Sequence, residues 1–214
     1  MSSYFDNLHY FQAYEVKRKL FHVIGSLFLI FLIKSLSFSY LLFTVTAMAF
    51  TFVILDYTNL FGKLFPRAVV KSVYNIAREH ELHFGKLSGA TWLLLSVMLC
   101  LLFNANNDII MISLLMVAFA DPFAAFCGMM SGNLEIHEGK TLEGMMAFFI
   151  ISVIIITVYT TLFPSAYCMN VNYLYIIAAV ASVTEVISSK IGLDDNFSVP
   201  LFSIATYNIL CILF

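Results

Sequence analysis

The stretch "ADPFAAFCGMMSGNLEIHEGKTLEG", Ala120 to Gly144, carries residue types and spacings suited to chemistry. Asp121 stands beside Pro122 inside an apolar run, and Gly128 and Gly132 follow four residues apart. Past Gly132 the sequence turns polar. Glu135, Glu138 and Glu143 are oxygen donors for a hard cation such as Mg2+, and Lys140 is a compact positive charge for phosphate. Thr141 is a helix N-cap with Glu143 in the first turn behind it, and such a helix start is itself an anion site. "GKT" lacks the earlier glycine and the preceding strand of a P-loop, which excludes that motif. Asp121-Pro122 predicts a helix break, with aspartate as N-cap and proline at N1 of a second half-helix whose amides are exposed. The two glycines would then let this half-helix pack closely or let a ligand approach. An ordinary proline kink is the plainer alternative.

Three further clusters carry polar chemistry. Glu185 is a second carboxylate inside an apolar run. "EVKRKLFH" puts Glu15, Arg18, Lys19 and His22 on one helix face, which would also serve simply to set topology. "LDDNFSVPL" places Asp194, Asp195 and Asn196 in a short loop, either a solvated turn or a cation and phosphate site. Charges inside a bilayer cost at least about 2.5–3.5 kcal/mol, so Asp121 and Glu185 each demand a reason. Both lie about 18–20 Å along spans that run from outside to inside. Acids at one depth suggest one site near the cytoplasmic third of the membrane.

The elements that must position these groups are helices. The chain has 214 residues, 61% hydrophobic and 11% charged, too few polar groups for a water-soluble surface. The expected fold is all-α: one polytopic transmembrane bundle, residues 1–214, with no second domain. Candidate spans cover 18–34, 38–58, 88–104, 109–131, 144–163, 172–190 and 197–214, about seven in all and six if a short end span fails. With the N-terminus in the cytoplasm, every basic residue except Lys34 falls on the inner side, as the positive-inside rule requires. Residues 1–17 read as an interfacial segment. No cleavage site follows Lys17-Arg18-Lys19, so no removable signal is expected. In 59–87, Lys63, Arg67 and Lys71 recur every four residues opposite Val69, Val73 and Ile76, the pattern of a basic amphipathic helix on the inner leaflet. Cys100, Cys127, Cys168 and Cys211 show no metal-type spacing and read as small apolar residues.

These residues resemble the CTP-dependent polyprenol kinases: dolichol kinase, phytol kinase and the CTP-using diacylglycerol kinase. The family's DxxAxxxGxxxG loop and following KKTxEG appear as Asp121, Ala124, Gly128, Gly132, then Lys140, Thr141, Glu143 and Gly144. "EVKRKLFH", "GKLSGATWLLLS" and the DN-x-x-VPL ending at Asp195, Asn196, Val199 and Pro200 match in the expected order. Gly139 replaces the first lysine of the family's KK pair, and His137-Glu138 have no counterpart.

The resemblance implies transfer of the CTP γ-phosphoryl group to the hydroxyl of a lipid alcohol: dolichol or another polyprenol, phytol or diacylglycerol. Residues 132–143 would be the nucleotide-binding loop. Arg18, Lys19, Ala124, Gly128, Gly132, Lys140, Thr141, Glu143, Gly144 and Asn196 would then bind the nucleotide. Asp121, Glu143 and Asp195 would hold Mg2+, and Asp121 and Lys140 would act at the reacting phosphate. Glu185 is the candidate base for the lipid hydroxyl, with His22 in reserve. Phosphatidate cytidylyltransferases share a similar D-x-x-A…KTxEG arrangement and are the main alternative. A small ion-coupled transporter using Asp121 and Glu185 is a distant one. No nucleic-acid partner is expected. The default location is a bacterial-type inner membrane, with the site facing the cytoplasm.

Overall fold

The apolar runs form helices in a computed structural model that describes residues 2–58, 87–103, 105–137, 139–164 and 171–213. Residues 2–18, 171, 172 and 189 are described by backbone alone. Among the described residues there are seven helices: α1 (Ser2–Ser35), α2 (Phe38–Thr58), α3 (Gly89–Leu102), α4 (Asn107–Ser131), α5 (Leu142–Leu162), α6 (Val171–Lys190) and α7 (Asp195–Leu213). A two-stranded antiparallel hairpin, β1 (Glu135–His137) and β2 (Lys140–Thr141), separates α4 from α5. By length and composition α2, α4, α5 and α7 can each cross a membrane, and α3 and the Tyr173–Ser188 part of α6 are shorter apolar helices. The basic amphipathic pattern over 59–87 falls almost wholly outside the described residues. The expected interfacial segment 1–17 is continuous with the first apolar run, because α1 passes through both without a break.

Helix α4 is the centre of the bundle, with 67% of its most apolar window buried against 17% for α2. It packs against α1, α5 and α7, while α3 bridges α2 and α7 and α6 lies between α5 and α7. Leu41, Val45 and Ala49 are the buried stripe of α2, spaced every four residues as one side of a helix requires. Phe43, Phe50 and Ile54 on its other side are exposed, an apolar surface suited to lipid rather than water.

Capping residues fix where the helices begin. Thr141 caps α5 by accepting from Gly144 N at 3.1 Å, as the sequence predicts, and the structure adds Asn106 as the cap of α4, accepting from Asp108 N at 2.8 Å. Ser88 caps α3, and Asp56 at the end of α2 ties the start together by accepting from Ser88 N at 2.8 Å and Thr91 Oγ1 at 2.6 Å. Pro200 lies inside α7 and cannot donate to the carbonyl of Asn196. Ser96 Oγ from α3 shares its one proton between Leu93 O at 2.8 Å and that freed carbonyl at 3.2 Å, which gives the oxygen a polar neighbour inside an apolar interior.

The predicted break at Asp121-Pro122 does not occur. Asp121 has φ −64° and ψ −45°, an ordinary helical conformation, and its N–H donates to Met116 O five residues back. The turn Met116–Ala120 is a π-helix. One wide turn ahead of the proline lets the chain stay helical through Pro122, so Asp121 caps nothing and no half-helix of free amides is formed.

Candidate active site

Asp121 is carried into the bundle by that continuous helix and is buried there, as is Glu185 on α6. Asp195, at the first turn of α7, completes a group of carboxylates whose nearest oxygens all lie within 4.8 Å of one another. Helices α4, α6 and α7 thus each contribute one acid to one place. The equal depth of Asp121 and Glu185 in the sequence becomes direct proximity.

Two lysines close on these acids. Lys19 of α1 forms an ion pair with Asp121, and Lys140 of β2 forms one with Glu185 and a second with Asp195 at 3.5 Å. Burial acts to lower the pKa of Lys140, but the attraction of Asp195, Glu185 and Asp121 outweighs it and raises the pKa above the usual lysine value. Lys140 is therefore a fixed cation at neutral pH. Sequence spacing does not pair Lys19 with Asp121; only the packing of α1 on α4 does so.

The hairpin delivers Lys140. Its turn needs Gly139, whose φ of +79° lies in the left-handed region that disfavours side chains. The glycine that replaces the first lysine of the resembled pair thus has a local backbone reason. Glu135 Oε1 accepts from Gly139 N at 2.7 Å and tightens the same turn.

The two halves of the motif are one packed unit. A Cβ on Gly128 would lie 3.0 Å from Thr141 Oγ1, and one on Gly132 would lie 2.6 Å from Thr141 Cγ2. A Cβ on Gly144 would lie 3.0 Å from the carbonyl oxygen of Ala124. The end of α4 thereby lies directly on the capped start of α5. Glu143 is half-buried and stands apart from the carboxylate group, accepting instead from Asn133 N at 3.0 Å and Leu134 N at 3.5 Å.

His22 is buried on α1, three residues from Lys19, and packs over the bare Gly89: a Cβ there would meet His22 Cε1 at 2.7 Å and Asn196 Nδ2 at 3.3 Å. Sequence reasoning takes Gly89 only as part of the "GKLSGATWLLLS" segment and passes over Asp56, whose one signal is an acid near the C-terminal end of the second apolar run. The side chains of Arg18 and Glu15 lie outside what the structure describes, as does Glu138.

The donor set fits a hard divalent cation. Mg2+ takes oxygen ligands at about 2.0–2.1 Å, which places ligand oxygens roughly 3–4 Å apart. Asp121 Oδ1 is buried and has no hydrogen-bond partner among the described residues, a costly state that a cation would relieve.

Comparison with known proteins bears on this arrangement. The CTP-dependent diacylglycerol kinase 1 of Saccharomyces cerevisiae is 26% identical over 212 residues, covering 89% of this chain and 71% of that protein. The probable phytol kinase 1 of Oryza sativa is 32% identical over 142 residues, covering 63% of this chain and 44% of that protein. The resemblance to CTP-dependent lipid kinases holds. An uncharacterised protein of Rickettsia prowazekii is 26% identical over 193 residues, 88% of this chain and 90% of that one. No family model matches the chain, and no solved structure does. The similarity to these lipid kinases, together with the apolar helices, points to a membrane protein.

Proposed function

We propose that this chain transfers the γ-phosphoryl group of CTP to the hydroxyl of a membrane lipid alcohol. The observation that carries the reading is the meeting of Asp121, Glu185 and Asp195 with Lys19 and Lys140 at one end of an apolar bundle. Phosphoryl transfer asks mainly for positioning and for neutralisation of the triphosphate, which this set of charges provides. Asp121 and Asp195 would hold Mg2+, and the bound ion would neutralise charge on the phosphate oxygens. Lys140 and Lys19, now paired with carboxylates, supply positive charge that can turn to the phosphates. Glu185 would accept the proton of the lipid hydroxyl as its oxygen bonds to the γ-phosphorus and the bond to the β-phosphate oxygen breaks, releasing CDP.

Seven spans with a cytoplasmic N-terminus complete the proposal. The bundle then presents the cluster at the inner surface, where a water-soluble donor meets a lipid acceptor. Glu143 acts through the loop it braces, since it stands apart from the other carboxylates.

The test is a transfer assay in detergent with γ-labelled CTP and a mixed lipid extract. Label in an organic-soluble product, lost in Asp121→Asn, is the expected result. Lipid labelled only by α-labelled CTP would mean cytidylyl transfer, and no labelled lipid with either donor would remove the enzymatic reading.

A further inference from the structure

Asn196 has a buried side-chain oxygen that no group among the described residues meets. The residue is 2% exposed, and its Oδ1 has no hydrogen-bond partner. Its orientation is fixed: Nδ2 donates to Asp194 Oδ1 at 2.6 Å, and a carboxylate can only accept. Turning the amide over would set oxygen against oxygen. The same residue is held at the backbone as well, by N–H bonds to Asp194 Oδ1 at 3.0 Å and Asp195 Oδ1 at 3.1 Å and by the Ser96 hydroxyl on its carbonyl at 3.2 Å. Asn196 therefore presents a rigid acceptor next in sequence to Asp195, one of the clustered carboxylates, and beside His22 over Gly89.

A buried acceptor without a donor is costly unless a ligand supplies one. Resting on the kinase reading above, we propose that Asn196 Oδ1 accepts a hydrogen bond from an N–H or O–H group of a substrate and so determines specificity. Two substrate groups have this chemistry. One is the exocyclic amine of cytosine, which uracil replaces with an acceptor. The other is the hydroxyl of the lipid alcohol. Sites that hydrogen-bond a substrate group discriminate strongly against an analogue lacking it, because the site's own group is then left unpaired.

The test compares wild type with Asn196→Leu, which keeps the volume and removes the oxygen, in steady-state kinetics with CTP, with UTP and with varied lipid alcohol. The exchange Asp194→Asn/Asn196→Asp, which restores an amide–carboxylate hydrogen bond and an acceptor oxygen, serves as the rescue. If the donor is the base amine, kcat/KM for CTP falls by about tenfold or more while that for UTP is unchanged. If the donor is the alcohol, the KM of the lipid rises by a similar factor and the nucleotide preference stays. In either case the exchange variant recovers most of the loss. Should Asn196→Leu not fold, judged by its thermal midpoint, Asn196→Ser replaces it, its hydroxyl being too short to reach. A folded variant in which neither the CTP-to-UTP ratio nor the lipid KM moves beyond twofold overturns the inference. Failure of the kinase reading would appear already in the wild type, as absence of transfer, and is thereby distinguished.

Discussion

Replacing Lys140 by methionine tests the electrostatic logic of the site most directly. Methionine keeps much of the side-chain length and removes the charge that pairs with Glu185 and Asp195. At the 3.5 Å separation from Asp195, and an effective dielectric of about 20, one unit pair is worth roughly 4–5 kcal/mol before desolvation. Loss of one member of a buried pair costs about 3–5 kcal/mol, because the remaining charges stay buried and uncompensated. The Lys140 side chain is 27% exposed, so water screens part of this and about 2–3 kcal/mol is expected. For a chain of this size that corresponds to a thermal midpoint lower by roughly 5–10 °C. The variant leaves Asp121, Glu185 and Asp195 within 4.8 Å of one another with Lys19 as the remaining paired lysine. Millimolar Mg2+ or Mn2+ should therefore raise the midpoint of Lys140→Met more than that of wild type, and Mn2+ should bind the variant more tightly when nucleotide is absent. The assay is fluorescence-detected thermal unfolding in detergent with a metal titration, read alongside Mn2+ paramagnetic resonance. A variant with the wild-type midpoint and no added response to metal would refute both the pairing and the assignment of these carboxylates to a cation.

Other outcomes follow from the same geometry. Because the pKa of Lys140 is raised on folding, its contribution is complete below the unfolded lysine value of about 10.4 and is lost only as pH rises through the folded one; the midpoint difference between wild type and Lys140→Met should thus be equal at pH 7 and pH 9. Gly132→Ala forces a methyl against the Gly128 carbonyl oxygen and to 2.6 Å from Thr141 Cγ2 and should lower the thermal midpoint by the equivalent of about 1–3 kcal/mol; Thr141→Ser removes only the second contact and should leave most of that loss in place. Gly139→Lys, which recreates the resembled lysine pair, places a side chain at φ +79° and should lower the midpoint by the equivalent of about 1–2 kcal/mol. Ser96→Ala removes the hydroxyl shared by Leu93 O and the carbonyl freed by Pro200 and should destabilise by about 1–3 kcal/mol in the same assay.

Several features are legible in the amino-acid sequence itself. Apolar runs long enough to cross a bilayer become helices whatever surrounds them, so α2, α4, α5 and α7 stand close to the spans that hydropathy marks. Thr141 as the cap of α5 is equally plain, since capping involves only a residue and the amides within one turn of it. Even the shared depth of Asp121 and Glu185 can be counted, because helical rise is constant.

What tertiary structure alone decides is of another kind. At Asp121-Pro122 local preference favours a cap and a break, yet the helix is continuous, because a π turn absorbs the proline inside a packed bundle. The polar run after Gly132 reads as a loop in the sequence and closes as a hairpin, which sets Lys140 against acids from α6 and α7. Glu143, equivalent to the other acids by composition, turns to two loop amides instead. The Lys19–Asp121 pair joins residues 102 positions apart, Gly128 is bare because Thr141 lies against it, and Gly132 is closed off by both the Gly128 carbonyl and Thr141. Residue type and spacing fix which groups are present and how far along a helix they lie. Which of them meet depends on the rotation and packing of whole helices, a property of the bundle that no single segment contains.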